Sequence, residues 1–112
     1  MNKNDKRTYS HYARDAAILL GQLIHSARKE KKMTAADLSG RAGITRGTLS
    51  KIEHGNLTCE IGLVFEVAAI AGISLFELDA KGMSLEIKRV QSKINLLPKR
   101  IQKPSEDFDD NF

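Results

Sequence analysis

Tryptophan is absent from these 112 residues, the other aromatics are two tyrosines and four phenylalanines, and cysteine occurs once. A core must therefore be built from Leu, Ile, Val and Ala. The single Cys59 excludes an internal disulfide and a cysteine-rich metal cluster, which fits a reducing cytoplasm; it reads as a small buried hydrophobe. Long apolar runs are also missing. The longest, Leu63 to Ala71, is interrupted by Glu66 and is too short to span a bilayer, so no membrane role is expected. The basic start MNKNDKR leads into polar residues, and no signal peptide is expected. The three histidines, His11, His25 and His54, fall on an arm and two different helices, with no nucleophile–base pair and no metal spacing. Neither an enzyme nor a metal or cofactor is expected.

The length allows one small helical domain with tails. Lys and Arg number 18 against 14 acids, for a net charge of +4. The last eight residues, SEDFDDNF, hold four acids and no base, which leaves the first 104 residues at +8. Such a body favours a polyanion, with an affinity that falls steeply as salt is added.

The most informative stretch is Thr34 to Glu53, TAADLSGRAGITRGTLSKIE. Thr34 can N-cap a first helix and Gly43 can end it in the left-handed conformation, so that the chain reverses and Thr45 caps a second helix. Ala35, Leu38 and Ala42 then point inward from the first helix and Leu49 and Ile52 from the second, with Ile44 in the corner. Facing out are Arg46, Gly47, Thr48, Ser50, Lys51 and His54. Short side chains near the start of the second helix, with cations along it, are what a helix needs to approach base edges in a duplex; this is a helix-turn-helix pattern. Arg46 is suited to bidentate contact with guanine, and Lys51 stands one turn later. Thr34, Thr45, His54 and Asn56 suit phosphate contacts. Arg41 reads equally as a phosphate contact or a solvated charge.

Around this motif the sequence divides into four stretches. Residues 1–14 read as a basic flexible arm, and 15–79 as the DNA-binding domain. Its first helix, Asp15 to Lys31, carries Ile18, Leu19, Leu20, Leu23, Ile24 and Ala27 at helical spacing. A fourth helix is expected from Cys59 to Ala71, using Ile61, Leu63, Val64, Val67, Ala68 and Ile70, and a short fifth from Ser74 to Leu78. In residues 80–97, Met83, Ile87, Val90, Ile94 and Leu97 recur at spacings of four, three, four and three, the seam of a helix that pairs with a copy of itself. A strand at Ser84 to Lys88 pairing across a two-fold axis is the alternative, since Leu85 and Ile87 alternate with polar residues. Pro98 closes this stretch, and 98–112 run from basic to acidic as a disordered tail in which Phe108 and Phe112 offer apolar anchors to a partner.

The span from about Leu20 to Leu78 resembles the XRE (lambda repressor and Cro-like) helix-turn-helix family. The resemblance is carried by an arginine in the first helix, by Leu38 with Ala42-Gly43-Ile44, and by the string Thr48-Leu49-Ser50-Lys51-Ile52-Glu53-His54-Gly55. It implies an all-α, five-helix fold, followed here by a dimerising helix or short strand and an acidic tail. It also implies base reading by Arg46, Gly47, Thr48, Ser50 and Lys51, and a structural ion pair between Arg28 and Glu53. Many relatives carry glutamine where Arg46 and Gly47 stand, so adenine preference does not transfer. The ending LLPKRIQKPSEDFDDNF is similar to that of HipB-like antitoxins, which are partnered by a HipA-type serine/threonine kinase toxin and repress their shared operon. That resemblance implies an antitoxin and autorepressor, to which the seam at residues 83–97 adds a homodimer and the lone cysteine a cytoplasmic setting. A stand-alone phage-type or metabolic repressor, and a protein-interaction adaptor that does not bind DNA, are the competing readings.

Overall fold

The computed structural model describes residues 7–101 and 103. Phe108, Phe112 and the acidic ending lie outside them. Among the described residues there are five α-helices, one 3-10 turn and no strand. The chain divides after Glu77 into two compact units.

The first unit contains α1 (His11–Glu30), α2 (Ala35–Ala42), α3 (Arg46–Glu53), α4 (Ile61–Ala71) and a 3-10 turn at Leu75–Glu77. Helices α2 and α3 pack on each other, α1 packs on α3 and α4, and α4 packs on α2. Between them lies a wholly aliphatic core: Ile24, Leu38, Leu49, Ile52, Val67, Ala68 and Ala71 are buried. Cys59, Ile44, Leu63 and Val64 pack against it while remaining partly exposed.

Several boundaries differ from the sequence reading, each for a local reason. Helix α1 begins at His11 instead of Asp15, because the Ser10 hydroxyl accepts a hydrogen bond from the Ala13 amide at 3.1 Å and caps a polar first turn. Of the six apolar positions assigned to α1, only Ile24 is fully buried. Its buried stripe is Gly21, Ile24 and Arg28, and Leu19 and Leu23, two residues either side of Gly21, are turned outward by about 200° around the helix. Ile18 is also exposed. Helix α4 starts at Ile61 instead of Cys59, since Asn56 Oδ1 accepts from the Thr58 amide and holds residues 56–58 in an Asx turn. Ile61, expected inside, sits at the first turn and is 68% exposed. The segment from Ser74 to Leu78 forms one 3-10 turn in place of an α-helix, with Phe76 and Glu77 in the left-handed region at φ of 56° and 58°.

The second unit contains α5 (Ala80–Leu96), so residues 84–88 are helical and the strand alternative is not formed. Asp79 caps α5 by accepting from the Gly82 amide at 2.7 Å. Ile87, Val90, Ile94 and Leu97 are exposed, and Met83 is half-buried.

Candidate nucleic-acid interface

The chain reverses between α2 and α3 through three residues. Gly43, at φ 70° and ψ 33°, ends α2; its amide donates to Gly40 O, and the Ile44 amide donates to Ser39 O at 3.0 Å, the paired bonds of a Schellman ending. Thr45 then caps α3, its hydroxyl oxygen accepting from the Thr48 amide at 3.0 Å. At the far end Gly55, at φ 81°, closes α3 in the same way, with the Asn56 amide donating to Lys51 O.

Burial divides α3 cleanly. Leu49 and Ile52 are inside, while Arg46, Gly47, Ser50, Lys51 and His54 are exposed on the other side. Thr48 departs from this group. It is half-buried, and its hydroxyl accepts from the Thr45 hydroxyl at 3.0 Å, so both threonines are engaged in the cap. Arg46 and Lys51 form no ion pair among the described residues. His54 Nδ1 lies 2.7 Å from Ser50 O, which places its proton on Nδ1 and leaves Nε2 facing solvent. Asn56 spends its carbonyl oxygen on Thr58 and keeps its amide protons as outward donors.

A Cβ built at Gly47 would meet only Thr45 Oγ1, at 3.8 Å, so nothing inside the protein requires a glycine at this exposed helical position. Gly47→Ala is expected to stabilise the fold by about 0.5–1 kcal/mol, as removal of a helical glycine does, which urea denaturation will read. If a bound body needs that space, the same variant binds it more weakly despite being more stable.

Thr34 is less available than its position implies. Its hydroxyl accepts from the Asp37 amide, and its own amide donates to Asp37 Oδ2 at 3.0 Å, a closed capping box. The hydrogen bonds from Thr34 hold the Asp37 carboxyl below the usual carboxylate range, and this anion already occupies the end of α2 that a phosphate would approach.

The last turn of α3 is fixed from α1. Arg28 Nε donates to Glu53 Oε2 at 2.8 Å and Nη2 to Oε1 at 3.0 Å, a two-pronged contact, and Nη1 reaches Met33 O at 3.2 Å. The side chains of Arg28 and Glu53 are 10% and 6% exposed. Burial pushes the Glu53 carboxyl up, but the hydrogen bonds and charges of Arg28 and His25 outweigh it and hold it below the ordinary range. His25 was not legible as a member of this cluster. Its Nδ1 lies 2.7 Å from Glu53 Oε1, a separation that two acceptors would not tolerate, so Nδ1 carries a proton and donates to the carboxylate. Gly21 was missed as well. A Cβ there would stand 2.5 Å from Ile52 O and 2.6 Å from Glu53 O, so α1 touches the backbone of α3 at this point. A glycine on the same stripe as Ile24 and Arg28 was the available signal.

Among the described residues, no group of three or more His, Cys, Asp and Glu side chains is placed to hold a metal ion, and no helix is long and apolar enough to cross a membrane. A family model for a helix-turn-helix domain matches residues 21–74. Comparison with curated proteins and with solved structures gives no match. The matched span runs from Gly21, where α1 meets α3, to Ser74, just past α4, and takes in the capped pair of short helices described above. Residues 21–74 are thus similar to a helix-turn-helix domain in both sequence and the arrangement of their two short helices.

Proposed function

We propose that this protein is a sequence-specific DNA-binding transcriptional repressor that lays α3 in the major groove. The observation that carries this reading is the outer side of α3: two cations without ion-pair partners among the described residues, a glycine with no internal role, and a short serine between them. Arg46 reads a guanine edge through its fork of donors, with Lys51 one turn along and Ser50 between them. The Asn56 amide faces outward as a phosphate donor, as does the amide end of α3 at Thr45, while His54, with its proton on Nδ1, presents Nε2 as an acceptor. The protein acts as a homodimer through the exposed seam of α5, each copy reading one half-site.

The finer reading is that of an antitoxin to a HipA-like serine/threonine kinase toxin, repressing the operon that encodes both. Its support is the C-terminal resemblance in Leu97-Pro98-Lys99-Arg100 and the acidic, phenylalanine-bearing ending. Co-expression with the gene encoded alongside, followed by purification, tests it: a kinase bound to this chain supports the antitoxin role. DNA binding with no such partner leaves a stand-alone repressor.

The DNA-binding reading is tested by selecting an operator from random duplexes and measuring affinity across a salt series. Arg46→Ala is expected to lose about 1–3 kcal/mol on the selected site and to relax discrimination at one base pair. Equal losses on the selected site and on random duplex deny Arg46 a base-reading role. Absence of any salt-sensitive binding favours the adaptor reading.

A further inference from the structure

The α5 seam leaves two orientations open to a pair of copies, and the charges beside it separate them. Glu86 and Lys93 flank the seam on one side, one heptad apart, and are the charged residues at the flanking positions within α5. In a parallel pair the flanking residues meet positions five further along, so Glu86 faces Gln91 of the second copy and Lys93 faces Pro98, and no charge is matched. In an antiparallel pair the same side of each helix meets itself. Met83 then packs opposite Ile94 of the second copy, Ile87 opposite Val90, and Glu86 opposite Lys93, each contact occurring twice about the two-fold axis.

We infer that α5 pairs antiparallel with α5 of a second copy, in the register that sets Met83 against Ile94 and Glu86 against Lys93. The inference rests on the homodimer reading above and adds its orientation and register. The intrahelical Glu86–Arg89 contact does not stand in the way: both side chains are exposed, 44% and 62%, and Glu86 can accept from both cations. The orientation also matters for DNA. With 17 residues in α5, the two chains enter an antiparallel pair at points about 25 Å apart along the axis, whereas a parallel pair brings them in side by side. Two-fold operators present half-sites roughly 34 Å apart, which suits entry from opposite ends.

Cysteine cross-linking in the full chain, carried in a Cys59→Ala background, decides the matter. Met83→Cys and Ile94→Cys are made as separate proteins, oxidised alone and after mixing, with sedimentation run in parallel. The antiparallel register brings position 83 of one copy to position 94 of the other and leaves like positions roughly 16 Å apart, beyond disulfide reach. Cross-linked dimer is therefore expected from the mixture and not from either protein alone. Cross-linking of each protein alone keeps the homodimer and overturns the orientation. A sedimenting dimer of the unsubstituted protein with no cross-link in any tube likewise overturns the register. A monomer both free and on DNA removes the homodimer reading itself. A second test spares the core. Glu86→Lys and Lys93→Glu should each weaken the dimer at least several-fold, and the double variant should restore it; unchanged association of both single variants counts against the register.

Discussion

Arg28→Ala is expected to lower the stability of the domain by about 3–5 kcal/mol, enough to leave a substantial unfolded fraction in a fold of ordinary stability. The reason is what remains. Glu53, with a side chain 6% exposed, loses both prongs of the guanidinium and keeps only the proton donated by His25. The reverse truncation, Glu53→Ala, leaves the buried Arg28 cation with two neutral acceptors, the Met33 carbonyl and the His25 Nδ1 that Glu53 no longer holds protonated, and with no counter-charge. Either single change should therefore cost far more than a joint replacement by apolar residues such as Arg28→Met with Glu53→Leu, which removes both charges together. Urea denaturation of the three variants is the measurement, and a double variant as unstable as the singles would mean that packing, not charge, sets the penalty. The sign with pH follows from the depressed Glu53 carboxyl. A carboxyl held below its ordinary value of 4.5 contributes stability above that pH and loses it as acid is added through its folded value. The acid sensitivity of the unsubstituted protein should accordingly be blunted in the apolar double variant.

Gly21→Ala is expected to destabilise by about 2–3 kcal/mol, despite the roughly 1 kcal/mol that alanine offers over glycine in a helix. The added methyl meets the carbonyl oxygens of Ile52 and Glu53, which belong to backbone and cannot swing aside as a long side chain would. Helix α3 must retreat from α1, and the Arg28–Glu53 contact stretches with it. Gly40→Ala is the control: it lies exposed in α2 with nothing within 4 Å of its added carbon, and should stabilise by about 0.5–1 kcal/mol. If both variants shift the denaturation midpoint the same way, the close approach at Gly21 is not what sets the spacing of the two helices.

Features written in local chemistry were legible in the sequence. Thr34, Gly43 and Thr45 announce two helix ends and the turn between them, and the spacing of Leu38, Leu49 and Ile52 gives the inner side of both short helices. All three of those apolar residues are buried. Less legible was anything decided by what another helix does. Ile18, Leu19 and Leu23 have helical spacing and hydrophobic side chains, yet α3 approaches along the stripe of Gly21 and leaves them outside. His25 meets Glu53 only because the chain brings together residues 28 apart. The start of α1 was hidden for a different reason. Its first turn is polar, so periodicity does not register there, although Ser10 carries the capping signal. At the candidate site, outward residues follow from the inward ones by subtraction. The internal commitments of Thr34 and Thr48 do not, because hydroxyls that cap a helix and hydroxyls that greet a ligand look alike as letters.

Helix α3 is fastened at its first turn by the Thr45 hydroxyl and at its last by Arg28 and His25. A rod pinned at each end arrives at its partner already shaped. On the DNA-binding reading proposed above, the freedom that α3 surrenders on docking is that of the tips of Arg46 and Lys51, and the encounter should show lock-and-key kinetics, with a single association phase whose rate responds to ionic strength more than to any refolding step.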